Sequence, residues 1–280
     1  WTIKSDGSSS VCSSDLMQQG IIPKNRMTAK NKPGIVRDLL HFFGVASPDD
    51  WRSVYVGMKC NFRRTREAQS DVGAIAAWIR QGEILAEQLD CPKYSKSKFE
   101  KAVRTIRSLT VLEPQEFGPV MQKLCWESGV AFVLVPSIPR AHVSGMARWL
   151  NLHKALIQLS LYGKQNDRFW FTFFHEAAHI LLHDKKNIFL DEWDGRGTLQ
   201  SKQEEEANAW SRELLIPLQY DAELSRLRSK NAVVEFANQI GIHPGIVVGR
   251  LQHDGLIEPT WMNGLKMSFS FEKSEQEYGV

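Results

Sequence analysis

The sequence predicts an α+β fold, in which a helical region is followed by a small sheet and then by a buried helix. From about residue 34 to residue 129, apolar residues recur at the spacing of amphipathic helices. Residues 130–136 then form a β-rich apolar run that ends at a proline. Residues 169–183 return to a helical pattern that is apolar on almost every side. Such segregation of helices from strands is typical of α+β proteins.

The helices of the first half carry recognisable signals at their ends. Gly44 closes the first helix, and a second helix starts at Ser47, with Pro48 at its first helical position. Longer amphipathic helices are predicted over residues 71–89, 97–109 and 115–127. Two further short strands, at residues 147–152 and 155–161, follow the apolar run and complete the predicted sheet.

The composition is that of an ordinary soluble globular protein without a membrane anchor. No apolar run approaches the roughly 20 residues that a membrane-spanning helix needs. The four cysteines, Cys12, Cys60, Cys91 and Cys125, form no CxxC pair. This spacing argues against a thiolate metal site and against a disulfide framework. We therefore expect reduced cysteines and a cytoplasmic location.

The charge is unevenly distributed along the chain. Residues 17–110 contain 17 Lys and Arg against 9 Asp and Glu, whereas residues 111–280 contain 17 against 21. A basic half beside an acidic half would suit contact with nucleic acid or with an acidic partner. The scattered positions of these charges favour a solvated helical surface instead, and only residues 59–66 form a tight basic cluster.

The buried helix contains the segment His175-Glu176-Ala177-Ala178-His179. Histidines four residues apart lie on one helical face, so both imidazoles can reach a single tetrahedral Zn²⁺. Glu176 follows the first histidine, where its carboxylate can take a proton from a water molecule at the metal. The pattern therefore predicts His175 and His179 as metal ligands and Glu176 as the catalytic base.

A catalytic zinc usually has three protein ligands, so a third ligand is expected downstream. His183 continues the four-residue spacing. Eight residues of helix rise about 12 Å, however, which is too far for one ion to bind both His175 and His183. His183 is therefore expected to support the site or to end the helix.

A second helix, at residues 204–217, offers better candidates for the third ligand. Glu204 shares the buried face of this helix, which runs through Ala207, Trp210, Ser211, Leu214 and Leu215. Glu205 points outward, and Glu206 remains the alternative ligand. We predict Glu204 as the third ligand, with Asn208 one turn further on to orient its carboxylate.

These motifs resemble those of the ImmA/IrrE family of zinc metallo-endopeptidases. Residues 174–183 read Phe-His-Glu-Ala-Ala-His-Ile-Leu-Leu-His, and residues 204–217 keep Glu-x-x-Ala-Asn-x-Trp-Ser-x-x-Leu-Leu-x-Pro. Ala178 stands where the family usually has Gly, and Trp210-Ser211 stand where it has Phe-Ala. None of these departures affects a predicted ligand.

The resemblance implies a zincin-like domain at residues 111–280 that binds Zn²⁺ and hydrolyses peptide bonds. Family members of this kind are implied to act on or beside helix-turn-helix repressors, in stress, mobile-element or toxin–antitoxin control. The expected partner is therefore such a repressor, as a protein substrate, or a cognate toxin. Residues 155–161 would hold a substrate as an added β-strand. Tyr220 and His243 are weak candidates for stabilising the developing oxyanion.

Upstream, residues 42–48 and 78–83 resemble the longer HigA-type antitoxins and regulators. In those proteins a helix-turn-helix DNA-binding domain comes first, and no such domain fits between Met17 and Gly34. DNA binding is therefore expected only through a missing N-terminal domain, and residues 17–110 are interpreted as a helical linker region. Residues 1–16 are Ser-rich, resemble the translation of a sequencing-adapter end, and are interpreted as a non-native artefact.

A second motif lies near the C-terminus. Residues 233–251 have the helix–glycine turn–helix spacing of a DNA-binding motif, but only Arg250, Gln252 and His253 in its second helix could read bases. A helical pair packed on the catalytic core is the favoured interpretation.

The main alternative to a zinc endopeptidase is a DNA-binding antitoxin or regulator whose zinc domain is a sensor or interaction module without proteolysis.

Overall fold

The computed structural model describes residues 13–18, 20–26, 28–56, 71–183, 188–192 and 202–270. Helices dominate before the sheet: α1 (Ser13–Gln18), α2 (Lys32–Phe43), α3 (Pro48–Trp51), α4 (Val72–Glu87), α5 (Lys96–Ser108) and α6 (Pro114–Glu127). The remaining helices are α7 (Asn166–Leu182), α8 (Lys202–Leu215), α9 (Asp221–Leu224), α10 (Lys230–Ile240) and α11 (Pro244–His253). A π-helical turn, Arg52–Val56, follows α3.

Within the described part of the chain, four strands form one sheet: β1 (Val130–Leu134), β2 (Val143–Asn151), β3 (Lys154–Leu159) and β4 (Ile188–Glu192). Their spatial order is β1-β3-β2-β4. Strands β1 and β3 run parallel, whereas β2 is antiparallel to both of its neighbours. The α+β class predicted from the sequence is confirmed. The three predicted strands correspond to β1, β2 and β3, and β4 is an additional strand that the sequence pattern does not indicate.

Local capping accounts for where the first helices begin and end. At the start of α3, the Ser47 hydroxyl accepts a hydrogen bond from the Asp50 amide (3.1 Å). At the start of α4, the Asp71 carboxylate accepts hydrogen bonds from two backbone amides of the first turn. Gly44 adopts the left-handed conformation and closes α2. The helix signals predicted at Gly44 and Ser47 are therefore confirmed.

The sheet separates two apolar cores, because successive side chains of a strand point to opposite faces. In β1, Val130 and Phe132 lie in one core, and Ala131 and Val133 lie in the other. Helix α7 packs on the first face, where the rings of Phe132 and Phe173 are 5.6 Å apart. Helix α4 contributes to the second core the residues Ala74, Ile75, Ala77, Trp78, Ile79 and Ala86. The sheet is therefore enclosed between α4 and α7.

Two buried hydrogen bonds fix α4 against the sheet. The Trp78 indole donates to the carbonyl oxygen of Val135 (3.2 Å), and the Gln158 amide donates to the carbonyl oxygen of Trp78 (2.7 Å). Gly82 lies so close to Gln158 that a Cβ atom at residue 82 would be 1.8 Å from Gln158 Oε1. The helix approaches the strand this closely because residue 82 has no side chain.

The C-terminal segment fixes the start of α7. The Asn166 side-chain oxygen accepts a hydrogen bond from the Met267 amide (3.1 Å), so its amide nitrogen faces His243 Nδ1 (2.8 Å). Asp167 forms an ion pair with Lys266, with 2.6 Å between Oδ2 and Nζ. Both side chains are almost fully buried, and a buried charge is tolerated only when it is paired. The beginning of α7 is thus held by residues far along the chain.

Helix α11 buries one face against the core. Its buried residues are Gly245, Ile246, Val247, Val248 and Leu251, and the helix packs against α7. The three residues that could read bases are instead bound within the protein: Arg250 pairs with Asp254, Gln252 donates to the carbonyl oxygen of Trp261, and His253 Nε2 lies 2.6 Å from Arg212. The motif at residues 233–251 is therefore a helical pair packed on the core, in agreement with the favoured interpretation.

Several predictions concern features that the fold does not test. The basic cluster at residues 59–66 lies outside the described residues, as do Cys12 and Cys60. Cys91 and Cys125 have free thiols. The boundary at residue 110 and the non-native origin of residues 1–16 stay predictions. Within the described ranges, no helix is both long enough and apolar enough to span a membrane.

His243 is expected to make folding stability depend on pH. Its Nδ1 atom accepts hydrogen bonds from the Gly245 amide and from the Asn166 amide nitrogen, so Nδ1 carries no proton. Burial lowers the pKa of His243, although Glu113 acts in the opposite direction. The unfolded chain therefore binds this proton more readily. The contribution of His243 is complete above about pH 6.5 and is lost as the pH falls below that value.

The variant His243→Asn should remove this pH dependence, because asparagine is a good N-cap whose side-chain oxygen accepts hydrogen bonds at the position of Nδ1. In urea unfolding, the variant should match the wild type at about pH 8 and exceed its stability at about pH 5. All other ionisable groups are common to both proteins, so the difference between the two curves isolates His243. Parallel curves over this pH range would contradict the prediction.

Candidate metal centre

Helix α7 carries the side chains of His175, Glu176 and His179 into the interior. The helix is apolar on nearly every side and packs into the first core through Phe169, Trp170, Phe173 and Phe174. The exposed fraction is 3% for His175, 0% for Glu176 and 1% for His179. Ionisable groups that are buried to this extent need hydrogen-bond or metal partners.

Helix α8 brings Glu204 to the two histidines. Glu204 Oε2 lies 3.1 Å from His175 Nε2, and Oε1 lies 3.4 Å from His179 Nε2. The two Nε2 atoms are 3.0 Å apart. One ligand atom from each of the three residues lies within 4.8 Å of the others, an arrangement that could hold a metal ion. The structure thus brings together the three residues predicted as ligands.

The buried face of α8 explains why Glu204 reaches the histidines. The buried residues of this helix are Ala207, Ser211 and Leu215. Glu204 precedes Ala207 by three positions and therefore lies on the same side. Glu205 is exposed, as the sequence predicts. At the other end of α8, the last two carbonyl oxygens accept hydrogen bonds from Arg107 of α5 (2.7 and 2.8 Å).

Each imidazole also has a partner at its second nitrogen. Asn208 Oδ1 lies 3.1 Å from His175 Nδ1, and His183 Nδ1 lies 2.9 Å from His179 Nδ1. From the sequence, Asn208 was expected to orient the ligand carboxylate, but its contact is with the histidine. His183 has the supporting position that the helical rise predicts. Metal-binding histidines usually have such a partner, which holds the ring in one orientation.

The electrostatics of the group favour the forms that bind metal ions. Burial lowers the pKa of His179 to about 4, although the hydrogen bond with Glu204 acts in the opposite direction. Burial alone would raise the pKa of Glu204, but hydrogen bonds with His175 and His179 bring it well below the usual value of a glutamate. A neutral imidazole and an ionised carboxylate are the forms that metal ligands must adopt.

The donor set fits a zinc ion. Two imidazoles and one carboxylate are a ligand set of catalytic zinc, which leaves a fourth position for water or substrate. Metal–ligand distances of about 2.0–2.2 Å place tetrahedral ligand atoms about 3.3 Å apart. The separations of 3.0, 3.1 and 3.4 Å agree with this spacing. His175, His179 and Glu204 are therefore the residues that would hold the ion.

Glu176 lies against the backbone of β2. A Cβ atom at Gly145 would be 2.9 Å from Glu176 Oε1 and 2.5 Å from Thr172 Cγ2. The strand can pass this close to the carboxylate because residue 145 is glycine. Gly145 is not among the residues predicted from the sequence. A glycine in the interior of a strand is the signal that indicates such a close approach.

The two weak candidates for oxyanion stabilisation have contacts of a different kind. Tyr220 packs against Phe236 of α10, with 5.7 Å between the ring centroids. His243 caps α11 and is hydrogen-bonded to Asn166. Neither contact involves His175, His179 or Glu204, so the structure supports neither assignment.

The sheet, the buried helix α7 and the group of three donors define an α+β domain with a candidate metal centre of the HExxH type. Residues 143–252 match the family model of the IrrE N-terminal-like domain, Peptidase M78. This part of the chain, from β2 to α11, is thus an ImmA/IrrE family domain, and the family points to a metallopeptidase-type function. The family resemblance predicted from the motifs is confirmed. No curated protein matches the chain.

Zinc is expected to stabilise the wild-type protein, and Glu204→Gln should remove most of that effect. An ion that binds only the folded state stabilises it by about 2.7 kcal/mol at 100 times its Kd. The amide of glutamine is a neutral and weaker ligand than the carboxylate. Thermal unfolding at graded zinc concentrations, after removal of metal with a chelator, measures the effect. The exposed neighbour Glu205→Gln is the matched control, and equal responses of the two variants would exclude Glu204 as a ligand.

Gly145→Ala should destabilise the protein by about 1–3 kcal/mol, as overpacking of a core does. The added methyl group would meet Thr172 and Glu176 at less than van der Waals distance. Thr172→Ser removes Cγ2, so the double variant should recover part of the loss. Urea unfolding of the wild type, both single variants and the double variant gives the coupling energy. Strictly additive effects on the free energy of unfolding would show that the contact with Thr172 does not cause the loss of stability.

Proposed function

We propose that this protein is a zinc-dependent endopeptidase in which Glu176 is the catalytic base. One observation carries the proposal: a buried carboxylate directly follows the first of two histidines whose Nε2 atoms converge with Glu204. A metal site that served structure alone would need ligands but no adjacent base. The family match supports a peptidase, and we infer a zincin-like fold from the small sheet, the HExxH helix and the downstream glutamate.

The residues of the site have separate tasks in this mechanism. His175 and His179 through Nε2, and Glu204 through a carboxylate oxygen, would hold the zinc ion. The ion would supply Lewis acidity, which polarises the scissile carbonyl group and lowers the pKa of a water molecule. Glu176 accepts a proton from the attacking water at a carboxylate oxygen and delivers it to the nitrogen of the leaving amine. That carboxylate lies close to the backbone of Gly145.

We infer that the substrate binds at the edge of the sheet formed by β4. From the sequence, residues 155–161 are expected to take the substrate, but β3 is paired with β1 on one side and with β2 on the other. That expectation is wrong, because an interior strand has no free edge. Among the described strands, β4 lies at an edge of the sheet beside β2, and α7 packs against both. An extended peptide can add to such an edge through backbone hydrogen bonds.

We further infer that the substrate is a protein, namely a helix-turn-helix repressor or regulator. The resemblance of the metal-centre motifs to the ImmA/IrrE family supports this substrate class. The resemblance of the upstream residues to HigA-type proteins supports it as well. Because only an extended segment can pair with a sheet edge, we expect cleavage in a linker outside the folded DNA-binding helices. The alternative is a regulator with a sensor domain and a cognate toxin as partner, and it requires zinc binding without cleavage.

Glu176→Gln should abolish cleavage while zinc and fold are retained. A general base contributes about 10²–10⁴-fold to the rate, so turnover should fall at least about 100-fold. The zinc-loaded protein is incubated with helix-turn-helix repressors encoded beside it, and products are identified by mass spectrometry. Zinc content and thermal unfolding of the variant are measured in parallel and should match those of the wild type.

The Glu205→Gln variant controls for the loss of one negative charge near the site and should cleave like the wild type. Unchanged cleavage by Glu176→Gln would overturn the assignment of the base. A wild-type protein that binds one zinc ion per chain, but leaves every tested repressor intact, would favour the sensor alternative.

A further inference from the structure

A cleft between α5 and α6 is separate from the candidate metal centre. Its volume is 540 Å³, and no residue of α7 or α8 lines it. The residues that line it belong to α5, to the end of α6 with its C-cap residue Ser128, and to the loop at Pro92. Ligand pockets in proteins measure about 300–1,000 Å³. The cleft is therefore large enough to hold several side chains of a partner, and the proposed peptidase reaction does not use it.

The α5 side of the cleft is basic. Lys98 and Lys101 both line it and are exposed. They lie on one side of the helix, because residues three apart are neighbours on a helical surface. Neither lysine forms an ion pair with another described residue. Helix α5 as a whole contains five Lys and Arg against a single glutamate, Glu100. Part of the positive excess of residues 17–110 is thus concentrated beside this cleft.

The α6 side of the cleft presents a large aromatic side chain that is held in place. Trp126 is 42% exposed, and its indole N–H group donates a hydrogen bond to the carbonyl oxygen of Asp90 (2.9 Å). Because this N–H is the one polar group of the side chain, the exposed part of the ring offers apolar contact only. Ala102 and Leu124 line the same cleft. An apolar side chain of a ligand would therefore find apolar partners next to the two lysines.

We propose that the cleft between α5 and α6 binds a short acidic segment of a partner protein that also carries an apolar side chain. Carboxylates of the segment pair with Lys98 and Lys101, and the apolar side chain packs against Trp126. The ion pairs give specificity and speed the encounter, since they are exposed. Burial of apolar surface against the indole supplies most of the affinity, as is common for tryptophan at interfaces. This binding requires neither zinc nor peptide-bond cleavage.

The chemistry of the cleft favours an acidic peptide over a nucleic acid. Proteins that bind single strands usually stack successive bases on several aromatic side chains, and each nucleotide adds a negative charge. Among the described residues that line the cleft, Trp126 is the only aromatic one. Glu127 lines it as well and would repel a phosphate backbone that passes along α6. A peptide can place its carboxylates at the lysines and an uncharged residue beside Glu127.

The first test is the binding of a labelled peptide. The probe is a short fluorescent peptide of repeated Glu-Glu-Leu units, and its anisotropy is followed as the protein is added at low salt. We expect saturable binding that weakens as salt is added, because exposed ion pairs are screened. The same peptide with Gln in place of Glu, or with Ser in place of Leu, should bind at least about 10-fold more weakly.

A matched pair of double variants tests whether the peptide binds at the cleft. Lys98→Glu/Lys101→Glu should weaken binding at least about 10-fold, because two attractive contacts become repulsive. Lys96→Glu/Arg104→Glu changes the net charge equally on the same helix, at exposed residues that do not line the cleft. This control should weaken binding less than about 3-fold, through the general field alone.

A second pair of variants tests the apolar contact. Trp126→Ala should weaken binding at least about 10-fold, as truncation of a tryptophan at an interface does. Leu152→Ala is the control, because Leu152 is 71% exposed and does not line the cleft. Binding by this control should match that of the wild type. If Trp126→Ala fails to fold, the lysine variants decide the question, since they change only exposed side chains.

Three outcomes would overturn the proposal. The first is that the acidic peptide does not bind to the wild type. The second is an equal loss in the two double variants, which would show a general effect of charge instead of a site. The third is tighter binding of labelled oligothymidylate with the same loss in Lys98→Glu/Lys101→Glu, which would show a nucleic-acid site. Zinc content and cleavage are not measured in these tests, so failure of the peptidase proposal would leave their result unchanged.

Discussion

The whole arrangement depends on the burial of three ionisable side chains, those of His175, Glu176 and His179, in one apolar helix. Removing such groups from water costs several kcal/mol each unless new partners replace the lost hydration. The apolar faces of α7 pack against the sheet and α11, so most of these partners must come from elsewhere. Helix α8 supplies the partners of the two histidines, and strand β2 passes beside Glu176. The centre therefore forms only when elements distant in sequence have packed together.

The sheet provides the rigid side of the centre. Helix α4 covers one face and α7 covers the other, so the central strands are buried on both sides. Gln158 of β3 is hydrogen-bonded to α4, while Gly145 of β2 lies against Glu176. Strands enclosed in this way belong to the regions of a protein that open least. Residues before 143, which lie outside the family match, thus support the sheet whose strand β2 lies against the carboxylate.

The parts of the centre that local periodicity encodes could be predicted from the sequence. The four-residue spacing places His175 and His179 on one face, and the apolar positions of α8 place Glu204 inward. Strand β4 could not be predicted, because its five residues end in two acids and become a strand only through pairing with β2. The contacts of Asn208 and Gly145 depend on how α8 and β2 dock on α7. No pattern within a single element contains that information.

Helix α8 supplies partners to all three histidines of α7 and its C-terminal end. Glu204 contacts the Nε2 atoms of His175 and His179, Asn208 contacts His175 Nδ1, and Glu206 contacts His183 Nε2. A shift of α8 along α7 would therefore break all of these contacts together. Arg107 resists such a shift, because its guanidinium group binds the last two carbonyl oxygens of α8. Docking of α8 on α7 favours metal binding. By the same free energy, a metal ion held between the two helices would stabilise their docking. Metal affinity in this protein thus depends on the packing of α8 against α7 as well as on the three ligands.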